Sequence, residues 1–289
     1  MSLRNDLYHG TNDIDFRPIW KRTLPASLAL MVASFIALVA LGLNLSIDFE
    51  GGGIFEVPVS DDVSVADARG AISVTEVRIQ TVEDIDGNRF IRVQTGSEVL
   101  GQSDLIVAEL AALGEVTVDD VSVNTVGPTW GDQITTRALQ ALAVFVVVVA
   151  IYLAWRLEWR MAVGALVAVV HDLVITAGVY SVFRFEVSPA TVIALLTIMG
   201  YSLYDTVVVY DKVLENSEDA GRLRNGYTAM VNASMNQVLM RSINTTITTV
   251  LPVLSMLVFG GFFVGGGNLR DFALALFIGL MQCVAMVPG

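Results

Sequence analysis

Six long apolar runs constrain this chain more than any other feature in it. A bilayer core about 30 Å thick is crossed by roughly 20 apolar residues of helix. Runs of about that length fall at 24–45, 138–155, 161–183, 189–210, 243–264 and 272–287. With 54% apolar residues, 16% charged residues and a mean hydropathy of +0.64, an ordinary soluble enzyme is excluded. The first run follows Arg17, Lys21 and Arg22, as in a signal peptide. Its length and the lack of a small-x-small cleavage site make it an uncleaved anchor instead. The last run is short and stops at Gly289 with no basic tail.

The predicted organisation follows directly. Residues 1–23 form a cytoplasmic N-terminus, 24–45 the first transmembrane helix, 46–133 an extracytoplasmic domain, and 134–289 helices two to six with a cytoplasmic loop at 211–240. Basic residues in short loops set the orientation. Arg4, Arg17, Lys21, Arg22, Arg156, Arg160, Lys212, Arg222, Arg224 and Arg241 mark the inner side, against Arg184 and Arg270 outside. Both termini are therefore expected inside. Trp20, Trp130, Trp155 and Trp159 fall at span ends, where interfacial aromatics belong.

The net charge of −12 sits almost wholly in one place: Leu45 to Gln133 holds seventeen Asp/Glu and four Lys/Arg. Such a segment repels nucleic acid and anionic headgroups, so neither is an expected partner for it. Its pattern reads as a β-α-β-β-α-β order, with strands at 54–59, 74–82, 90–95 and 115–126. Its helices fall at 63–72, capped by Ser60, Asp61 or Asp62, and from Ser97 or Gly101 to Leu113, stopped by Gly114. That order suggests a small α+β ferredoxin-like domain. The loop from Asp211 to Met240 reads as a solvated connector, the alternative being an interfacial helix and a turn around Gly221 and Gly226. The single Cys283 excludes an intrachain disulfide. Metal-ligand spacings, phosphate-cradling loops and nucleophile motifs are missing from the sequence, so no cofactor and no enzymatic activity are expected.

Charged groups inside a bilayer are expensive and mark functional sites. His171 and Asp172 in the third span and Asp205 in the fourth stand out. Adjacent residues project about 100° apart on a helix, which disfavours one shared site for His171 and Asp172. The fifth span opens with Asn244, Thr245, Thr246, Thr248 and Thr249 just after Arg241. It rises as the fourth descends, so Asp205 can meet hydroxyl partners or the Arg241 cation at its own depth. Desolvation disfavours the charged form of a carboxyl and a neighbouring guanidinium favours it. A group held between the two can gain and lose a proton, whereas the plainer alternative is hydrogen-bonding glue between helices. Tyr204-Asp205 and Tyr210-Asp211 lie about 240° apart on one helix and cannot form a facing aspartyl-protease dyad.

The stretches IDFEGGG at 47–53, VGPTWG at 126–131, TIMGYSLYDT at 197–206, YDKVLEN at 210–216, RSINTT at 241–246 and LRDFA at 269–273 resemble the SecF members of the SecD/SecF protein-export family, within the resistance-nodulation-division superfamily. The resemblance runs from about Phe16 to Leu280. Glu50 stands where a Thr is common and Lys212 where an Arg is common, and the pattern fades after Leu280, as a truncated frame would produce. The resemblance implies a six-span half-transporter of the bacterial cytoplasmic membrane. It also implies a partner, SecD, and use of the proton gradient to pull preproteins through the SecYEG channel after the SecA step. Asp205 then becomes the proton-coupling residue and Arg241 its partner. A small-molecule efflux half-transporter and a non-coupling scaffold of the translocon are the alternatives.

Overall fold

The computed structural model describes residues 14–75, 77–83, 87–218, 226–263 and 268–286. Five helices among them are long and apolar enough to cross a membrane: α1 (Arg17–Leu41), α5 (Pro128–Arg156), α6 (Trp159–Phe183), α7 (Pro189–Ser217) and α8 (Tyr227–Phe263). A further helix, α9 (Asn268–Met286), packs against α7 and α8. Short elements complete the chain: helices α2 (Ile47–Glu50), α3 (Val65–Ala71) and α4 (Ser103–Gly114), and strands β1 (Asn44–Leu45), β2 (Gly52–Val59), β3 (Val77–Glu83), β4 (Arg89–Thr95), β5 (Ser122–Val126) and β6 (Glu186–Val187).

Local chemistry explains where the long helices begin. Pro128 and Pro189 each occupy a first helical turn, where a missing N–H costs nothing. Ser188 caps α7 by accepting from the Thr191 N–H at 3.4 Å. Aliphatic side chains on α1 and α5 remain exposed along the shaft, among them Leu28, Val39, Val144 and Ile151. Lipid is the solvent that suits such faces.

The acidic segment folds in the order β2-α3-β3-β4-α4-β5, with all strands antiparallel and arranged β3-β4-β2-β5. One sheet face and the two helices enclose Phe55, Val57, Ile91, Val93, Ile106 and Leu110, all fully buried. The caps differ from those the sequence suggested. Ser64 and Asp67, rather than Ser60, Asp61 or Asp62, form the box at α3, and Thr117 with Asp120 forms a second one. The Ser64 and Thr117 donors hold the carboxyls of Asp67 and Asp120 below the usual range. At the end of α4 the left-handed residue is Glu115, at φ 54°, not Gly114.

The domain is stitched to the helices at one end of the bundle. β1 pairs in parallel with β6, and Ser46 N–H donates to the Val187 carbonyl at 2.9 Å. A Cβ on Gly131 would meet the Phe49 carbonyl oxygen at 2.6 Å, and one on Gly51 would meet Pro128 Cα at 2.9 Å. The two glycine motifs thus interlock α2 with the start of α5. Glu186, in this joint, has its carboxyl pushed up by burial and then by the charge of Asp271.

Boundaries moved outward. α5 begins ten residues before the apolar run at 138, and α7 runs on to Ser217. α8 starts at Tyr227 and so takes up half of the expected connector. Gly226 does turn, at φ 89°, whereas the turn expected at Gly221 and the glycines at 265–267 lie outside the described residues.

Candidate functional site

α7 places Tyr201, Tyr204 and Asp205 on one face, against the Thr-rich middle of α8. Between them lies a groove of about 490 Å³ whose walls include Thr197, Gly200, Thr245, Thr248, Leu280 and Cys283, with Asp205 inside it. A Cβ on Gly200 would have nothing within 4 Å, so the missing side chain leaves the groove open there. Tyr201 and Tyr204 are 40% and 43% exposed, and Thr248 is exposed as well. The groove therefore opens sideways from the bundle, at the level of apolar helix shafts. Polar side chains at such a face call for water or a second protein surface rather than lipid.

Arg241 reaches the groove from α8. Its Nη2 donates to the Tyr204 hydroxyl at 2.8 Å, and its Cζ lies 5.6 Å from the centre of the Tyr204 ring. Tyr204 thus holds the cation at the wall of the groove that contains Asp205. Asp205 itself makes no hydrogen bond or ion pair among the described residues. A carboxyl in this setting can exchange a proton without dismantling a network of its own.

The hydroxyls do not do what the sequence suggested. Thr245, Thr246, Thr248 and Thr249 all donate to carbonyls three or four residues back on α8, at 2.8–3.0 Å. Threonine in a helix has this option within its own backbone, and inside a membrane it satisfies the hydroxyl without a neighbour. The four line the groove but do not bond Asp205. Asn244 is exposed and lies off the groove lining, its carbonyl accepting from Thr248.

His171 and Asp172 do not line the groove either. They do meet each other, contrary to the angular argument: His171 Nδ1 lies 3.0 Å from Asp172 Oδ1. The imidazole is long enough to fold back along α6 and cover the 100° between the two Cβ directions. Two residues missed in the sequence complete this cluster. Ser202 Oγ donates to Asp172 Oδ2 at 2.6 Å, and Gln282 Nε2 donates to Asp172 Oδ1 at 3.1 Å. A glutamine in an otherwise apolar run was the available signal. Asp211 is an exposed charge within α7, six residues before its end at Ser217, and pairs with Arg156 at 2.6 Å. No three His, Cys, Asp or Glu among the described residues come together as metal ligands would.

Residues 106–285 match the family described as "Protein export membrane protein SecD/SecF, C-terminal", and residues 36–63 match the "SecD/SecF GG Motif". The chain is 41% identical to the protein translocase subunit SecF of Streptomyces coelicolor, over 95% of this chain and 74% of that one. It is 38% identical to the SecF subunit of Mycobacterium tuberculosis strain H37Rv, over 97% of this chain and 66% of that one. The crystal structure of SecDF, a translocon-associated membrane protein from Thermus thermophilus, superposes over the full chain with a TM-score of 0.80 at 31% identity. The chain covers 38% of that longer protein. With a family match over more than half its length and relatives of this identity, the chain belongs to the SecD/SecF family of protein-export membrane proteins.

Proposed function

We propose that the chain is the SecF-type subunit of the Sec protein translocase and lets protons through at Asp205 to complete preprotein translocation through SecYEG after the SecA step. The observation that carries this reading is the sideways-open groove: a carboxyl and a cation on a face of the bundle where lipid is an unacceptable neighbour. A second helical bundle of the SecD type closes it. The fused SecDF chain, of which this protein spans 38%, supports such a two-half arrangement.

In this arrangement α9 is the sixth span, both termini face the cytoplasm, and the β-α-β-β-α-β domain is a ferredoxin-like unit outside the bacterial cytoplasmic membrane. Its sheet order supports that description. Arg241 steadies the deprotonated carboxylate and Tyr204 aims Arg241. No cofactor takes part, since the proton gradient is the energy source. The partners are SecD, SecYEG and unfolded preproteins, and nucleic acid is not among them.

The test is Asp205→Asn in the complete translocase. Gradient-driven export should fall to the level seen without a gradient, while ATP-driven export and assembly stay as they were. Normal gradient-driven export by that variant would remove Asp205 from the mechanism.

A further inference from the structure

The Asp172 cluster lies beside the groove, with Cys283 between the two, and it ties together four helices. Beyond the donors from Ser202 on α7 and Gln282 on α9, His171 Nε2 stands 2.6 Å from Ser27 Oγ on α1. Gln282 also turns its carbonyl oxygen to the Thr176 hydroxyl at 3.2 Å, so both ends of its amide are fixed. Asp172, Ser202, Thr176 and Gln282 are all buried. Buried carboxyls are costly unless nearly every lone pair finds a donor. Asp172 meets that demand only while α6, α7 and α9 keep their present register.

Two observations connect this cluster to Asp205. Ser202 stands three residues before Asp205 on α7, so any slide or turn of α7 that moves Asp205 also pulls on the 2.6 Å bond to Asp172. Cys283 lines the Asp205 groove while its Sγ lies 3.8 Å from Asp172 Oδ2, leaving one side chain between the two carboxyls. The titratable groups facing Asp172 are His171 on α6, Cys283 on α9 and, across Cys283, Asp205 on α7. α1 contributes the Ser27 hydroxyl.

We propose that Asp172, gripped by Ser202 and Gln282, is the positioning residue that sets the register of α7 and so places Asp205 for proton exchange, with His171 and Ser27 extending that control to α1. This rests on the reading of Asp205 as the proton-carrying group. It assigns Asp172 no proton of its own to carry. Packed helix interfaces hold discrete arrangements rather than deforming smoothly, so a four-helix tie of this kind selects among registers.

The experiment uses proteoliposomes holding the complete chain with its SecD-type partner and the channel. Gradient-driven export is measured across a pH series for Ser202→Ala, Ser202→Thr and Gln282→Leu, with Asp205→Asn alongside. A misplaced site should lower the gradient-driven rate about 10- to 100-fold in Ser202→Ala and Gln282→Leu. The midpoint of the pH profile should move by about one unit in both. Ser202→Thr, which keeps the hydroxyl, should restore both, and ATP-driven export should be unchanged throughout. Wild-type midpoints in Ser202→Ala and Gln282→Leu would overturn the proposal, and so would an equal loss of ATP-driven and gradient-driven export. Should Ser202→Ala fail to assemble, Ser27→Ala at the edge of the network decides: a midpoint moved the same way as in Gln282→Leu supports the proposal, and an unmoved one overturns it. If Asp205→Asn still couples export to the gradient, the proton reading itself falls. If that variant is inactive while the others keep the wild-type profile, only the positioning role falls.

Discussion

Gly178→Val should loosen the first helix from the bundle, and the structure sets the size of the effect. α1 packs chiefly on α6, and a Cβ at Gly178 would lie 2.6 Å from Ser34 Cα. Ser34 Cβ would be closer still, at 2.3 Å; ordinary contact begins near 3.4 Å, so α1 must retreat by roughly 1.1 Å for the first carbon alone, before the valine methyls are fitted. One turn along, the Ser181 hydroxyl reaches the carbonyl oxygens of Ala37 at 3.0 Å and Gly42 at 2.8 Å. The same retreat carries both beyond hydrogen-bonding range. Overpacking of this kind costs about 1–3 kcal/mol. A lost interhelical hydrogen bond adds about 0.6 kcal/mol. The total, about 2–4 kcal/mol, should lower the Tm in detergent by about 5–10 °C. Hydrogen exchange should speed up in α1 and, through β1, at the β1–β6 joint. Gly200→Ala is the control, because its new Cβ meets nothing. If Gly178→Val and Gly200→Ala melt alike and exchange in α1 is unchanged, the close α1–α6 approach is not what holds the first helix.

Further expectations concern single contacts. The carboxyls of Asp67 and Asp120 are held low in the folded state by Ser64 and Thr117, so their contribution is complete above the unfolded-state value and is lost as the pH falls through the folded one. Protection of α3 amides should therefore drop on acidification below about pH 4, and Asp67→Asn should flatten that dependence. Tyr204→Phe removes the 2.8 Å bond to Arg241 but keeps the ring beneath it, so gradient-driven export should fall less than in Tyr204→Leu; equal losses would show that the hydroxyl alone matters. Arg156→Ala breaks a pair whose side chains are 49% and 52% exposed, and stability measured by denaturation should change by less than about 1 kcal/mol.

Much of this architecture was legible in the sequence because bilayer thickness imposes a length that no other solvent does. The apolar runs and the alternating strands of the acidic segment identified the elements. Helix ends were not legible. Residues 128–137 are mostly polar and 227–242 mix polar with apolar, yet both are helical, because a helix leaving the membrane keeps its backbone bonds in water and packs on α2 or on the end of α7. The candidate site was half legible. Asp205 stood out by the cost of burying its charge and Arg241 by opening the Thr-rich stretch, and the structure sets Arg241 on Tyr204 in the wall of the groove that holds Asp205. Spacing could not reveal that the threonines of α8 bond their own carbonyls, since a hydroxyl facing a partner and one facing its own helix look identical in a string. Gln282 and Ser202 were missed for a related reason. Each is a weakly polar residue in an apolar run, and only the fold brings Ser202 from α7 and Gln282 from α9 to one carboxyl on α6.

The central claim is that Asp205 takes up and gives back a proton while the translocase works. Infrared difference spectroscopy on the reconstituted complex, stepped across the pH range in which export runs, reads that carboxyl directly. A protonated-carboxyl band that rises and falls with the step, and is absent in Asp205→Asn, is the predicted result. A band of constant intensity, or one that survives in Asp205→Asn, would contradict the account.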